Sequence, residues 1–205
     1  IAYLRCGPNT CIMQPKDEDE LVDMMATGLA HQGPAFIRYP RGNGLGVEIK
    51  EEPGLLEIGK AEVIQAGLEI QIWALGPMIM EAQKLAAHIE HEWELSVGIV
   101  NARFAKPLDT NLLATQANTA QLIISMEDGV ESGGIGSAIC ETLQSAGIAT
   151  PVEIIGWPDR FIDHGTSVSD VRAMGKLDFA SIELRVTKRL QAIKGIQKST
   201  KMLHA

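Results

Sequence analysis

A regular alternation of short apolar runs and amphipathic segments fills the chain from residue 68 onwards. The four apolar runs are Ile70–Leu75, Val97–Val100, Leu122–Met126 and Val152–Ile155. Runs of this length, separated by helical segments, are typical of the β-strands in βαβ units. Because these crossovers are right-handed and carry helices onto the sheet, the pattern predicts an α/β fold: a mostly parallel twisted sheet with helices on both faces.

The segments between the apolar runs have helical periodicity. After Pro77, which is tolerated at a helix start, one apolar face recurs at spacings of three and four: Met78, Ala82, Leu85, Ala86, Ile89 and Trp93. The same periodicity predicts helices at about 108–117 and 136–146 and a last helix at Phe179–Ile193. The polar residues 195–205 are expected to fray.

The first 44 residues predict a partial second α/β domain. Short apolar runs at Cys11–Met13 and Ala35–Ile37 flank a helix, and the acidic residues 17–20 favour its N-terminus. The apolar face predicted for this helix is the stripe Leu21, Met25 and Leu29, at a spacing of four, flanked by Val22 and Met24.

Glycine and proline punctuate the span that follows, which is interpreted as a linker with short extended pieces. The predicted organisation is a domain remnant at 1–44, a linker at 45–67, a complete domain at 68–194 and a frayed tail at 195–205. The chain opens on Ile1 rather than Met, which suggests that this sequence begins within something larger.

Charge and composition exclude several function classes. The net charge of −8 opposes binding to nucleic acid or to an anionic membrane, because both need a basic excess. No apolar run reaches the length of about 18 residues that a membrane span needs. Cys6, Cys11 and Cys140 show no C-x-x-C spacing, so we expect reduced thiols in a cytoplasmic protein and no zinc site.

Two arginines and a glycine-rich turn form the first candidate site. The segment Arg38-Tyr39-Pro40-Arg41-Gly42-Asn43-Gly44 follows a predicted strand. Arg38 and Arg41 offer guanidinium forks that suit phosphate or carboxylate, and glycines let backbone amides approach an anion closely. A surface turn with two solvated arginines is the alternative interpretation.

A second glycine-rich segment follows a predicted strand and opens a helix. It runs Glu127-Asp128-Gly129, then Gly133-Gly134-Ile135-Gly136-Ser137. Dinucleotide binding is rejected because Ile139 stands where the third glycine of G-x-G-x-x-G would be. Two acidic residues beside the loop also oppose a phosphate. We therefore predict that these glycines serve close packing of the helix on the sheet.

Histidines and serines supply weaker candidates. They are the pairs Asp163–His164 and His88–His91, and the serines Ser137 and Ser167. An Asp–His pair suggests a general base, but the G-x-S-x-G elbow of a serine nucleophile is absent, so a structural or interfacial role is favoured. The two helical histidines have no apparent third ligand, so a solvated face is favoured over a metal site.

Three segments in this order resemble the 1-deoxy-D-xylulose 5-phosphate synthase family. They are Arg38–Gly44, Ala102-Arg103-Phe104-Ala105-Lys106-Pro107-Leu108-Asp109 and Pro158-Asp159-Arg160-Phe161-Ile162-Asp163-His164-Gly165. Tyr3–Pro8 and Met13–Glu18 look similar too, and the likeness covers about residues 1 to 190. The Arg-Phe-x-Lys-Pro-Leu-Asp and Gly-Gly-x-Gly-Ser segments are shared more loosely with transketolases and with the β subunits of 2-oxoacid dehydrogenases.

The resemblance implies a homodimer of three-domain subunits that joins decarboxylated pyruvate to glyceraldehyde 3-phosphate, for isoprenoid precursor synthesis. The first domain of the family grips the diphosphate of thiamine diphosphate and Mg²⁺, and the second holds the aminopyrimidine and its activating glutamate. The third resembles a transketolase C-terminal domain. This chain matches the end of the second domain and the whole third. The resemblance therefore implies no catalytic, cofactor-binding or metal-binding residue here, and no activity without the upstream domains.

One substrate-binding role carries over by resemblance. The arginine at the position of Arg41 lies near the phosphate of the acceptor in this family, which agrees with the anion site inferred from the residues, and Arg38 would support it. The chain departs from the family pattern at Gly7, where an apolar residue is frequent, at Trp157, where leucine is usual, and at Asp128, where glutamate is common.

Two other readings stay open at this point. The chain could be the equivalent part of a transketolase or of a 2-oxoacid dehydrogenase β subunit, which would share the fold but use a different acceptor. It could also be an α/β interaction module without chemistry of its own.

Overall fold

The computed structural model describes residues 1–165 and 167–193. Its first part contains two helices and two short strands: α1 (Ala2–Arg5), β1 (Cys11–Met13), α2 (Glu18–Ala30) and β2 (Ala35–Ile37). Residues 38–61 then cross the surface without a helix or strand, and residues 41–55 are exposed throughout. None of the helices in the described part of the chain is long and apolar enough to cross a membrane.

The second part alternates strands and helices. Its elements are β3 (Glu62–Gln65), β4 (Ile70–Ala74), α3 (Ile79–Trp93), β5 (Val97–Asn101), β6 (Phe104–Lys106), α4 (Thr110–Ala117), β7 (Leu122–Val130), α5 (Ile135–Ser145), β8 (Val152–Trp157), α6 (Val168–Met174) and α7 (Phe179–Ala192). A 3₁₀ turn, Gly76–Met78, holds Pro77 just before α3. The predicted strands and helices of this part are confirmed, whereas β6 and α6 were not predicted. The fraying expected for residues 195–205 lies outside the described residues.

Five strands form the large sheet, in the order β3-β5-β4-β7-β8. The pairs among β5, β4, β7 and β8 are parallel, and β3 adds an antiparallel edge next to β5. Alternate residues of β4 face opposite cores, because side chains alternate along a strand. Ile70 and Ile72 pack beneath α3 and α7, whereas Trp73 packs with α4 and α5 on the other face. The predicted α/β fold, with helices on both faces, is therefore confirmed.

Three short strands form a small sheet, in the order β2-β1-β6. The first two are parallel, and β6 pairs antiparallel with β1. This last strand comes from the second part of the chain, 91 residues or more after β1 in sequence (Met13 to Phe104). The small sheet therefore exists only when the two parts of the chain lie against each other. β3 falls in the span interpreted as a linker, and it belongs to the large sheet.

Helix α2 buries a different face from the one that periodicity predicted. Asp17 caps it by accepting a hydrogen bond from the backbone N–H of Glu20, and acidic residues fill its first turn as expected. The predicted stripe was wrong at two of its residues, since Met25 is 53% exposed and Leu29 is 86% exposed, whereas Met24 beside it is buried. The buried face is mostly polar and consists of Glu20, Asp23, Met24 and Thr27.

Polar residues can occupy this buried face because each has partners elsewhere in the chain. Asp23 accepts hydrogen bonds from the backbone N–H of Gly54 and from Lys50 Nζ, at 2.7 and 2.5 Å. The hydroxyl of Thr27 accepts one from the backbone N–H of Leu56, at 2.8 Å. A buried polar group that keeps its hydrogen bonds avoids most of the cost of leaving water. These contacts fasten the exposed 41–55 segment onto α2.

Candidate functional site

A cavity of about 660 Å³ opens where several strands end. Its walls come from the segment after β2, the end of β7, the end of β8 and the start of α6. The residues that matter for its chemistry are Arg38, Arg41, Asp128, Trp157, Ser167 and Arg172. Ligands of α/β proteins bind in this kind of crevice, outside the carboxyl ends of parallel strands. The cavity is therefore the candidate site.

Both predicted arginines reach this cavity. The backbone N–H of Arg38 donates to the carbonyl of Met13 at 2.9 Å, which ties the start of the segment to β1. The guanidinium Nη1 of Arg38 is buried and has no hydrogen-bond partner within the described residues. Arg41 is exposed, and among those residues it forms no side-chain hydrogen bond or ion pair. Two guanidinium groups with unused donors thus line one cavity, as an anion site requires.

Asp128 and Trp157 form a matched pair on the opposite wall. The indole Nε1 of Trp157 donates to Oδ1 of Asp128 at 2.7 Å. These are two of the three positions at which the sequence departs from the family pattern that it resembles, and in the fold they touch. The hydrogen bond holds one oxygen of Asp128, the only carboxylate that lines this cavity in the described chain, on the Trp157 side.

Glu127, next in sequence to Asp128, is fully buried at the start of α5. Its Oε1 accepts a hydrogen bond from the backbone N–H of Gly136 at 3.2 Å, and so caps a helix whose own N-cap, Gly134, has no side chain. Burial raises the pKa of Glu127 from 4.5 to about 7, against the opposing effect of the N–H groups of Gly136 and Ile135.

The glycines of the second loop make room for these contacts. A Cβ on Gly134 would collide with the Glu127 carboxylate, and a Cβ on Gly136 would lie 2.5 Å from Cγ2 of Ile154. The prediction that the loop serves close packing of helix and sheet is confirmed. Sequence analysis did not predict that Glu127 caps α5. It interpreted the acidic pair before the glycines only as a feature that opposes phosphate binding.

The weaker candidates do not assemble a catalytic site. Asp163 and His164 are exposed in the loop before α6. His88 Nε2 lies 3.4 Å from Glu183, and His91 Nδ1 lies 2.9 Å from its neighbour Glu92. Within residues 1–165 and 167–193, no group of three His, Cys, Asp or Glu side chains could hold a metal ion.

The segment Ala102–Asp109 fastens the two parts of the chain together. Arg103 adopts a φ of 55° and directs its Nε to Glu20 on α2 at 2.7 Å. Glu20 also accepts a hydrogen bond from Asn101 Nδ2 at 2.8 Å, within a buried polar cluster. Lys106 Nζ donates to the carbonyl of Arg5 at 2.9 Å. Sequence analysis missed the buried partner of Arg103, because an acidic residue in a first helical turn already has a local explanation.

Comparison with known proteins adds independent findings. Residues 59–182 match the model of the transketolase C-terminal domain. A 1-deoxy-D-xylulose-5-phosphate synthase from Methylacidiphilum infernorum (isolate V4) is 50% identical over 165 residues, which cover 80% of this chain and 26% of that protein. The enzyme of the same name from Acidobacterium capsulatum is 46% identical over 173 residues, 84% of this chain and 27% of the relative. The chain thus spans about a quarter of the length of these relatives.

Solved structures show the same fold. A split-gene transketolase, described as an inactive beta4 tetramer, superposes with a TM-score of 0.79 at 25% identity, over 94% of this chain and 61% of the other. A transketolase variant from Pichia stipitis superposes with a TM-score of 0.64 at 15% identity, over 95% of this chain and 27% of the other, which supports the fold alone.

Proposed function

The chain belongs to the transketolase C-terminal domain family, and on that premise we propose that it is the C-terminal part of a thiamine-diphosphate-dependent 1-deoxy-D-xylulose 5-phosphate synthase. The full-length enzyme would condense pyruvate with glyceraldehyde 3-phosphate and release carbon dioxide, in the cytoplasm. The sequence likeness supports the synthase over other members of the family: synthases match at 46–50% identity, against 25% for the split-gene transketolase.

The cavity carries the proposal for a role of this chain in the reaction. Arg41, supported by Arg38, would hold the phosphate of glyceraldehyde 3-phosphate. The single observation behind this assignment is that both arginines line one cavity and that neither forms an ion pair within the described residues. A phosphate monoester accepts such donors in pairs, which fixes its orientation as well as its position.

Thiamine diphosphate and Mg²⁺ would be held by the upstream domains. The described residues do not fit the metal, since they offer no set of three ligands. We therefore assign no residue of this chain to the cofactor and expect the 205-residue chain alone to be inactive. A coupled assay with pyruvate and glyceraldehyde 3-phosphate checks this, and turnover above that of a heat-inactivated sample would contradict it.

Upstream domains of the same protein are the first proposed partner. Helix α2 exposes Met25 and Leu29, and the edge strand β2 leaves Phe36 36% exposed. An open strand edge beside exposed apolar side chains suits further strands of the same sheet. The remaining strands of a complete pyrimidine-binding domain would cover this surface.

A second copy of the chain is the other proposed partner. The resemblance implies a homodimer, and a two-fold symmetric pair is the commonest arrangement of soluble oligomers. The split-gene transketolase with the same fold is described as a tetramer of its beta chain that is inactive, in keeping with self-association without activity. Sedimentation should show a species heavier than the 22.2 kDa chain; a monomer at high concentration would contradict this.

Replacing Arg41 in the full-length enzyme tests the acceptor site. A charge-assisted contact contributes about 1.5–3 kcal/mol, so Arg41→Ala should lower kcat/KM for glyceraldehyde 3-phosphate roughly 10- to 100-fold. Arg41→Lys should recover only part of this, because lysine keeps the charge and loses the fork. The KM for pyruvate should barely change.

The non-phosphorylated acceptor glyceraldehyde is the control for this experiment. It has no phosphate to lose, so the Arg41→Ala enzyme should use it about as well as the parent does. Equal damage to both acceptors would mean that Arg41 supports the fold of the turn at Gly42–Gly44 instead. Product formation from a different acceptor, with none from glyceraldehyde 3-phosphate, would favour the transketolase or dehydrogenase alternative.

A further inference from the structure

Arg172 lies on α6, a helix that sequence periodicity did not predict. This helix follows Ser167, whose hydroxyl accepts a hydrogen bond from the backbone N–H of Asp170 at 3.1 Å and so caps it. Arg172 and Ser167 line the same cavity as Arg38 and Arg41. The two predicted arginines come from the segment after the small sheet, whereas Arg172 comes from the opposite side, next to the large sheet.

The charge of Arg172 is only loosely neutralised. Its Nη1 lies 3.7 Å from Oε1 of Glu81, which is beyond hydrogen-bond distance. The same oxygen of Glu81 lies closer to Lys84 Nζ, at 3.0 Å. The Arg172 side chain is 25% exposed, so it is partly shielded from water without being buried. Its fork therefore has donors to spare for a ligand in the cavity.

The charges lining the cavity favour an anion with more than one negative charge. Three arginines face one carboxylate, Asp128, and that carboxylate already accepts the indole N–H of Trp157 at 2.7 Å. Arg38 forms no ion pair within the described chain. A monocarboxylate would leave most of these donors unused, while a phosphate monoester has three terminal oxygens to accept them.

We propose that Arg172 is a third guanidinium of the phosphate site, a specificity-determining residue that holds a phosphate monoester together with Arg41 and Arg38. This inference rests on the proposed function and adds to it. Arg38 and Arg41 belong to the first part of the chain and Arg172 to the second. A phosphorylated ligand would therefore contact both parts through its phosphate, and a non-phosphorylated ligand would not.

Binding of glycerol 3-phosphate, a non-reacting phosphate monoester, tests the site directly on the 205-residue chain. Titration followed by NMR should show that Arg172→Ala weakens binding about tenfold, as expected for the loss of one charge-assisted contact. The matched control is Arg189→Ala. Arg189 also has a 3.7 Å ion pair on a helix, with Glu153, but it does not line the cavity. This control should bind like the parent.

Glu81→Gln separates ligand binding from a structural role. If Arg172 serves the ligand, removing its distant partner should leave binding unchanged or slightly tighter. If Arg172 only holds α6 through Glu81, Glu81→Gln and Arg172→Ala should weaken binding alike, and the proposal is overturned. It is equally overturned if Arg172→Ala binds glycerol 3-phosphate as the parent does, or if the parent shows no saturable binding.

Kinetics of the full-length enzyme complete the test. Arg172→Ala should raise the KM for glyceraldehyde 3-phosphate by about tenfold, with little change for glyceraldehyde or in kcat. Failure of the proposed function looks different: the parent would form no product from these substrates, while the binding experiment would still report on Arg172. Conversely, an active enzyme that is insensitive to Arg172→Ala would keep the function and reject the third arginine.

Discussion

The small sheet and the large sheet are held together by different kinds of interaction. The large sheet lies between two apolar clusters, and each is built mainly from its own strands and helices. The small sheet has a core of only four fully buried residues, Cys11, Met13, Met24 and Phe104, and one of these comes from β6. Ile12 of β1 also packs into the apolar cluster around Trp73 on the large sheet. The remaining ties named above are polar, through Glu20, Arg103 and Lys106.

This difference indicates that the small sheet depends on the large sheet for its stability more than the large sheet depends on the small one. The large sheet has enough apolar area to fold on its own strands, because burial of apolar surface is the main stabilising term. The small sheet has less apolar area of its own and depends on ion pairs, on the packing of Ile12 against the large sheet and on β6, a strand from the second part of the chain. We therefore expect amide hydrogens of β1 and β2 to exchange faster than those of β4 and β7, through local opening of the first part.

Removing Glu20 should change the difference in stability between the two sheets more than any other substitution considered below. Its side chain is 3% exposed and pairs with Arg103, which is 21% exposed. Glu62 still lies 3.3 Å from Arg103 Nη2, so the charge keeps one partner, but the buried charge-assisted hydrogen bonds of Glu20 are lost at a cost of roughly 1.5–3 kcal/mol. Glu20→Ala should lower the opening free energy at Ile12 and Met13 by about that amount, and much less at Ile124 in β7. Native-state hydrogen exchange measures both.

Glu52→Ala is the control for this change, because Glu52 is exposed on the 41–55 segment and away from the buried pair. It should leave exchange in both sheets unaltered. If Glu20→Ala instead lowers the opening free energy equally at Met13 and Ile124, the two sheets unfold as one unit, and the one-way dependence is wrong.

The large sheet has its own buried carboxylate, Glu127, whose effect should appear in the pH dependence of stability. Between its ordinary pKa of 4.5 and its folded pKa of about 7, the folded chain keeps a proton that the unfolded chain has released. Stability should therefore fall as pH rises through this window, by roughly 3 kcal/mol in total, and level off above it. Urea denaturation at a series of pH values measures the slope.

Glu127→Gln should remove this part of the slope. The amide keeps the shape of the side chain and an oxygen for the N–H of Gly136, but it has no proton to release. Above pH 7 the variant should be more stable than the parent, and below pH 4.5 the two should agree. Glu94→Gln, at an exposed position after α3, should retain the slope of the parent. An unchanged slope in Glu127→Gln would show that another group causes it.

The parts of the fold that sequence predicted are the ones with local causes. Apolar periodicity located the four parallel strands and four of the helices of the large sheet, because each pattern reports burial within a single element. The arginines of the candidate site were predicted for a similar reason: Arg38 and Arg41 lie in one short segment, and their chemistry can be read without knowing the fold.

The parts that sequence missed depend on contacts between distant residues. β6 forms because Phe104 meets Met13, and α2 buries Glu20 because Arg103 and Asn101 lie opposite it. Periodicity favoured Leu21, Met25 and Leu29 as the buried face, since it cannot see partners that neutralise a carboxylate. Arg172 was missed likewise: nothing in its helix of seven residues announces a cavity shared with residues 131 or more positions earlier.

Two aspartate N-caps, one on each sheet, test the difference between the two sheets with the smallest expected effects. Asp17 caps α2 beside the small sheet by accepting the N–H of Glu20, and Asp178 caps α7 on the large sheet by accepting the N–H of Ser181. Replacing either with alanine should cost about 1 kcal/mol, the usual effect of losing an N-cap side chain. The two substitutions should affect different measurements, because α7 packs on the large sheet, which folds on its own strands, whereas α2 packs beside the small sheet, which opens locally.

Asp178→Ala should lower the urea midpoint of the whole chain, since α7 packs on the core that the rest of the fold requires. Asp17→Ala should barely move that midpoint and should instead speed exchange at amides of β1, β2 and α2, where opening is already local. Asp17→Asn and Asp178→Asn keep a capping oxygen and should restore most of the loss in each region. Equal shifts of the urea midpoint by Asp17→Ala and Asp178→Ala would mean that the small sheet contributes to the cooperative unit as much as the large one does. In that case the contacts of Glu20 and Lys106 would be strong enough for the small sheet and the large sheet to unfold together as one cooperative unit.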